Sequence, residues 1–534
     1  MSCMRPMVLR RVRGKNALAL LARLLGAASI GVVLTSCAVG PNFIGPPVAD
    51  VNGYTPEPLA SPRTDAVSPR VPRQRFITGA DISTRWWTAF RSRPLNELIS
   101  LSVEHNPSLQ AADAAIKVAQ FNALAQRGLY LPQVGVNYTP SDQQISNATN
   151  ATIGPQQRYT LQTAQLNVSF VPDIWGENFR NVESLDAIAE QQQFQLEAAY
   201  LTLTAQVVTA AIQEASLRGQ ILATQRIVKI ERDILGVLKN QFSAGQAAQV
   251  DVLTQEAALA QAEQSLPPLE KQLAIQRNLL TALAGQFSAD EIFQKFDLQH
   301  LGLPANLPVS VPSELVRQRP DVRAAEANLH SASALVGVAI AARLPNITLS
   351  ANPGTAAFTY AQMFTPGTLF YTVAASATHT VFDGFSLYNK QKSAQAALDQ
   401  ANALYRQAVI TAFQNVADAL RSLQTDARGV QAAIKAENAA KASLDIIQKQ
   451  LVLGQINQVT VLNAQQTYFN ALIARVQAEA TRLSDTAALF MALGGAWPAH
   501  CRTDDWRRCI LEGSVDEAAA PGPPSDIMSG TTRR

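Results

Sequence analysis

The chain has 534 residues, 47% of them hydrophobic and only 16% charged, with a formal net charge of +3. Six of its cations (Arg5, Arg10, Arg11, Arg13, Lys15 and Arg23) lie in a leader, and without them the remainder stands near −3, so charge makes no case for nucleic-acid binding. The five histidines (105, 300, 330, 379, 500) stand singly, without metal-ligand spacing, four cysteines do not make a disulfide framework, and Gly-Lys phosphate loops and Gly-x-Ser-x-Gly elbows are absent, which leaves an enzyme reading without residues.

Residues 1–36 have the layout of a signal peptide: a basic start, then an apolar run from Ala17 to Leu34 broken by Arg23. The run ends in Leu34-Thr35-Ser36 before Cys37, which resembles a bacterial lipobox. That resemblance implies cleavage before Cys37, a diacylglyceryl thioether on its sulfur and acylation of the new amino terminus, enough chain to hold the protein to a leaflet. Ala38 after the cysteine, rather than Asp, points to the outer membrane by the usual sorting rule. Residues 37–94 are taken as a lipidated N-terminal tether, because the stretch from Ala38 to about Thr84 is rich in Pro, Gly, Ser and Arg and has no period. Trp86 and Trp87 close this segment, and packing is the expected job of both.

A first repeat is assigned to residues 95–285. Its first helix is predicted over 95–127, kinked or broken near Asn106-Pro107. Between about 129 and 172 Tyr130, Val134, Val136 and Tyr138, then Leu166, Val168 and Phe170, alternate with polar or small residues around a turn-rich loop. Period-two alternation on both sides of a loop predicts a hairpin, and apolar-out, polar-in is also the pattern of a membrane barrel. Next comes a proline-free rod, 177–244. Steps of four and three pick out Leu196, Tyr200, Leu203, Val207, Ala210, Glu214, Leu217, Ile221, Thr224, Val228, Glu231, Leu235, Leu238 and Phe242, an apolar seam broken only by Glu214, Thr224 and Glu231. A seam of period 3.5 predicts helices packed as a coiled coil, and such a rod needs partners along its whole length. Gly245 supplies the turn, and a returning helix runs over 249–283, interrupted at Pro267-Pro268.

A linker, 286–312, joins this to a second repeat, 313–495, at an offset near 210. Leu131-Pro132 recurs as Leu344-Pro345, a hairpin is expected over about 344–383, a second rod follows to about Leu453, and Gly245-Gln246 recurs as Gly454-Gln455. The tail, 496–534, carries Cys501 and Cys509, which an oxidising compartment would allow to pair. The fold class is therefore mostly α with a membrane β part: two repeats, each helix, β-hairpin, long helix and helix. Four strands with an apolar outer face cannot close a barrel alone, so an oligomeric tube is expected, with eight strands from two chains or twelve from three.

Several stretches resemble the TolC/OprM outer-membrane factor family in its NodT-type lipoprotein branch. They are Cys37-Ala38-Val39-Gly40-Pro41-Asn42-Phe43, Glu104-His105-Asn106-Pro107 and, most sharply, Arg319-Pro320-Asp321-Val322-Arg323-Ala324-Ala325-Glu326. The resemblance spans about residues 37–497. It implies a homotrimer with a twelve-stranded outer-membrane barrel and a periplasmic helical barrel. It also implies docking onto a periplasmic adaptor and an inner-membrane transporter, outer-membrane lipid as surroundings, no bond made or broken, and no cofactor beyond the lipid on Cys37. In that family the helix-turn-helix tips close the tube, often with carboxylate rings. The matching tips here are 245–253 and 454–463, turned by Gly245 and Gly454. Asp251 takes the acidic position, whereas Thr460 and Asn463 stand where the second repeat would carry its acids. Asp251 could form a ring of like charge or cap its own helix. With no Lys or Arg in either tip, closure is expected to rest on Gln455, Asn457 and Gln458 rather than on salt bridges. Two rival readings, a periplasmic adaptor lipoprotein and a structural coiled-coil lipoprotein, do not account for the doubled unit and the four alternating strands respectively.

Overall fold

The computed structural model describes residues 38–47, 51, 53–57, 61, 73–80, 82–144, 158–495, 497 and 506–512. The signal peptide, Cys37 and Cys501 lie outside the described residues. Cys509 is disulfide-bonded.

Strand β1 (Arg75–Thr78) and a buried 3-10 turn (Trp86–Phe90) precede helices α1 (Arg93–His105) and α2 (Pro107–Arg127). Antiparallel β2 (Gln133–Gln144) and β3 (Arg158–Phe170) lead to α3 (Glu177–Ser243), α4 (Gln249–Gln264) and α5 (Leu266–Leu283). The second half runs β4 (Asn306–Val309), α6 (Pro312–Gln318), α7 (Pro320–Ala341), β5 (Asn346–Ala351), β6 (Gly354–Ala357), β7 (Leu369–Phe370), β8 (Val373–Thr378), α8 (Ser386–Val452) and α9 (Gln458–Ala492), before α10 (Trp506–Glu512). Helices α3 and α8 have 67 residues each, about 100 Å of rod. Among the described residues no helix is long and apolar enough to cross a membrane.

The chain divides into two compact units. The first takes in residues up to 45, 117–189 and 327–403. At its centre is one sheet, with β2 paired to β3, β3 to β5 and β6, β5 to β8, and β6 to β7. The second hairpin is interrupted: each of its lines is split into two segments, and Tyr371, within the expected hairpin, falls in the gap between β7 and β8. On its far side from the sheet partner, neither β2 nor β8 has a neighbour among the described residues.

The start of the expected tether is not free. Val39 N donates to Trp175 O at 3.0 Å, and Arg180 donates from Nε to Val39 O at 3.2 Å and from Nη2 to Asn42 Oδ1 at 2.7 Å. Phe43 stacks on His330 at 4.4 Å, and His330 Nε2 lies 3.0 Å from Glu183 Oε1. Gly40, at φ 98°, crosses Gly337 so closely that a Cβ on Gly40 would fall on the Gly337 backbone. The glycines let two backbones touch, and the polar clamp then holds a segment with no period of its own.

The second unit takes in residues 46–116, 190–326 and 404–534. The α3 seam is buried from Leu196 to Leu238, including its three polar breaks, and only Phe242 at the end is exposed. Each break has a partner. Glu214 accepts from Arg218 Nε (2.6 Å), Arg277 Nη1 (3.1 Å) and Phe296 N (2.9 Å), while Thr224 Oγ1 donates to Gln220 O (2.9 Å). Arg277 also donates to Ile292 O at 2.7 Å, so the interhelix linker is pinned to the rod by a buried ion pair. A buried charge of this kind persists only when paired and hydrogen-bonded. The linker is also structured further on, since β4 pairs in parallel with β1, Phe76 opposite Leu307. Two four-residue strands 231 positions apart leave no periodic trace, and neither the tether nor the linker assignment anticipates them.

Asn106 and Arg319, the residues before Pro107 and Pro320, are extended, as a following proline requires. Each reaches back to the end of a returning helix: Asn106 Nδ2 donates to Leu283 O (3.0 Å) and Arg319 Nη1 to Ala492 O (2.6 Å). Trp86 stacks on Phe490 at 5.4 Å, and Tyr200 meets Trp87, Trp497 and Trp506 edge-on, so the tryptophan pair packs. On α8, burial and then the hydrogen bond and charge of Asp485 on α9 push the Asp426 carboxyl up to about 7, against the pull of Arg482.

Two outcomes follow from these contacts. Gly40→Ala is expected to release residues 38–43, read as faster proteolytic cleavage there, whereas Gly245→Ala, with open space around it, leaves that segment protected and costs only about 1 kcal/mol of left-handed backbone. Because Asp426 binds its proton more tightly in the folded chain than its ordinary 3.8 allows, the pair's contribution is full below about pH 4 and is lost as pH rises towards 7. Thermal unfolding of Asp426→Asn across that window should lose this part of the pH dependence, and an unchanged slope would refute it.

Candidate functional site

Register makes the sheet two-faced. Val134 lies opposite Val168, Val136 opposite Leu166 and Tyr138 opposite Ala164, and the same face continues through Phe170–Leu349, Leu349–Ala375 and Ala351–Val373. The other face pairs Asn137 with Gln165, Ser169 with Ser350 and Thr348 with Ser376. None of the described residues covers the apolar face, where Val136 is 83% exposed and Val373 75%. The polar face is uncharged through this zone. It is crossed by bonds such as Gln165 Nε2 to Asn167 Oδ1 (2.8 Å) and, at its base, borders a pocket of about 470 Å³ whose lining includes Gln133, Asn178, Asn181 and Asn346.

The two helix tips share one turn. After α3, Gly245 N donates to Phe242 O (2.9 Å) and Gln246 N to Gln241 O (2.8 Å); after α8, Gly454 N donates to Leu451 O (2.9 Å) and Gln455 N to Gln450 O (3.0 Å). This double bond closes a helix on a left-handed residue, and the φ values of 73° and 69° explain why both are glycine. The following helices start differently. Asn457 caps α9, its Oδ1 accepting from Thr460 N (3.1 Å) and Thr460 Oγ1 (2.7 Å). At the equivalent place on α4 stands Ala248, with no side-chain cap. Asp251 is therefore not the capping residue that one sequence reading made it. It is half-buried in the first turn, where the positive end of the helix favours a carboxylate.

Of the other tip residues, Gln455 and Asn463 are exposed, and Gln458 is buried. Gln458 Nε2 donates to Gln255 Oε1 at 2.8 Å, and Gln255 Nε2 donates to Glu231 Oε2 at 2.5 Å and to Glu231 O at 3.1 Å. One polar chain thus ties α9 to α4 and α3, and burial raises the Glu231 carboxyl above its ordinary value while the Gln255 bond opposes it. Beside it Leu235, Leu238 and Val252 form an apolar cluster. Gln255 is the residue that sequence reasoning missed. Its signal is a wholly buried amide on the α4 face that carries Val252 and Leu259, matching Glu231 on the α3 seam. Exposed pairs, Lys239–Glu256 and Arg232–Glu263, both 2.7 Å, flank the lock and add little.

Comparison with known proteins points one way. The profile described as "Outer membrane efflux protein" matches residues 98–286 and 311–495. The pyoverdine export outer membrane protein OpmQ of Pseudomonas putida is 29% identical over 427 residues, covering 78% of this chain and 89% of the relative. Nodulation protein T of Rhizobium leguminosarum bv. viciae is 24% identical, covering 89% of this chain and 94% of the relative. Among solved structures, the outer-membrane channel OprN superposes with a TM-score of 0.77 at 24% identity, over 86% of this chain and all of that one. VceC of Vibrio cholerae gives 0.72 at 25% identity, over 78% of this chain and all of that one.

Gln458→Ala strands a buried amide and is expected to destabilise the helical unit by roughly 1–3 kcal/mol. Asn457→Ala should cost about 1 kcal/mol and Asn457→Asp almost nothing. Thermal unfolding of the three variants checks the order, with Asp251→Ala falling below Gln458→Ala.

Proposed function

The chain belongs to the outer membrane efflux protein family and works in the Gram-negative outer membrane, and from that premise we propose how its parts make an exit duct. The observation that carries the reading is the sheet with one uncovered apolar face and two unpaired edges. In lipid an open edge leaves backbone groups without partners, and an apolar face in water is equally unfavourable. Assembly with further copies relieves both. Three chains give twelve strands, with Val134, Val136, Leu349 and Val373 outward to lipid and Asn137, Gln165, Ser169 and Thr348 lining the lumen. The twin rods, with seams that need partners along their length, form the periplasmic part of the same tube.

On this reading Cys37 carries the lipid anchor, and the tips at 245–253 and 454–463 face a periplasmic adaptor and an inner-membrane transporter. Solutes pass outward without chemical change. The cargoes named for relatives differ, pyoverdine in one and toluene in another, which suits a duct whose lining here is uncharged amides and hydroxyls. The tip gate consists of the Gln458–Gln255–Glu231 lock and the Asn457–Thr460 cap. Asp251, repeated around the axis, adds a ring of like charge that favours cations in the throat. Gln455 and Asn463, exposed on the tip, are free for contacts between copies or with the adaptor.

Single-channel conductance in planar bilayers tests the gate. Asn457→Ala and Gln458→Ala should raise the open fraction several-fold, whereas Asp251→Ala should mainly weaken cation preference. If Asp251→Ala alone opened the pore, the polar lock would not be what closes it. Heat-modifiable migration of an oligomer on a gel tests assembly, and a lone monomer at all temperatures would contradict it.

A further inference from the structure

The junctions between helices and sheet, α7 to β5 and β8 to α8, carry a patch that the duct reading does not use. Val381 is 91% exposed, Phe382 77% and Phe385 67%, and the rings of Phe382 and Phe385 meet edge-on at 6.0 Å. The turn is rigidly built: Gly384 and Phe385 are both left-handed, at φ 65° and 66°, and Asp383 Oδ2 accepts from Leu387 N at 2.6 Å. A bulky residue in that region is unfavourable, so the fold holds Phe385 outward at a cost. One turn further on, Tyr388 is flanked by two cations, the Arg343 guanidinium 5.9 Å and Lys392 Nζ 5.7 Å from its ring centre. Arg343 donates to Gln391, but among the described residues neither Arg343 nor Lys392 forms an ion pair, and the Tyr388 hydroxyl makes no hydrogen bond. Asp383, the acid nearest Tyr388 in sequence, is occupied by the helix start.

Two like charges around one phenol without a counter-ion, directly beside outward apolar side chains, is the chemistry of a membrane interface. We propose that Arg343, Lys392 and the Tyr388 hydroxyl seat the phosphodiester headgroup of an anionic phospholipid whose acyl chains lie against Val381, Phe382 and Phe385. Charge complementarity selects this occupant: a second copy would have to bring a carboxylate to the patch, and an apolar partner would leave both cations unpaired. The seat rests on the reading that the apolar sheet face lies in lipid.

The test uses the full-length protein, delipidated in detergent and then offered phosphatidylglycerol or phosphatidylethanolamine, with bound lipid counted by native mass spectrometry. The wild-type chain should retain phosphatidylglycerol roughly tenfold better than phosphatidylethanolamine. R343Q/K392Q should lose that preference, and the charge-keeping R343K/K392R should retain most of it. Excess inorganic phosphate should leave the adduct in place. Equal retention of the two lipids by the wild-type chain overturns the seat without any variant having to fold. So does full retention by R343Q/K392Q, or displacement by inorganic phosphate, which would mark a plain anion site. An oligomer that falls apart in R343Q/K392Q while lipid retention is unchanged would assign the cations to contacts between copies. A wild-type chain that retains no lipid of either class would overturn the membrane placement of the sheet as well.

Discussion

A β-sheet cannot be stable with one face of valine, leucine and phenylalanine open to water and with bare edges on both sides. Here the described residues provide no layer to cover the apolar face and no strand to cap β2 or β8. The helices are in the same position: the seam of α3 is buried by its own chain, yet Leu222, Val237 and Phe242 remain exposed along the rod, as do Leu404 and Ile410 on α8. Burial by other copies and by lipid is what the sequence leaves to be completed. On the proposed reading, the hollow assembly is a consequence of that incompleteness rather than an addition to a finished fold.

Duplication then supplies two versions of each joint, and the differences between them are informative. All four returning-helix boundaries use a glycine in the left-handed region, at 245, 285, 454 and 494. Asn106 and Arg319 both grip a helix end, but one does so with a neutral amide and the other with a guanidinium that also bonds Asp321 at 2.6 Å. The first returning helix is split at Ser265 ahead of Pro267-Pro268, while the second runs unbroken for 35 residues. Prolines in a first turn lose no donor, so the split converts an unfavourable interior pair into an acceptable start. The same turn geometry is thus kept while polar caps, charges and breaks are free to diverge between the halves.

Much of this was legible before any coordinates. The α3 seam showed because period 3.5 survives three polar interruptions, and those interruptions, Glu214, Thr224 and Glu231, proved to be buried with partners. The hairpin faces showed because alternation is strict from Val134 to Tyr138 and from Leu166 to Phe170. Long-range pairings did not show. The β1–β4 ladder is too short for a period, the clamp on residues 38–43 depends on side chains 138 and more positions away, and Gln255 matters only because Gln458 from the other repeat meets it. At the tips, the residue types singled out Asn457 as a polar contact but showed neither that it caps α9 nor that Ala248 would stand in its place on α4.

The crossing of Gly40 over Gly337 has one more consequence. Ala38 is pressed against Gly176, where a Cβ on the glycine would fall 2.7 Å from it, so a lipid anchor just ahead of Ala38, as the proposed reading has it, would start from a held point. An acyl group attached there would behave as a rivet and not as a leash. It could not wander over the bilayer, and each copy in a ring would be nailed to the leaflet at the same height and bearing. A chain anchored in this way would draw from its fatty chains a fixed azimuth as well as retention.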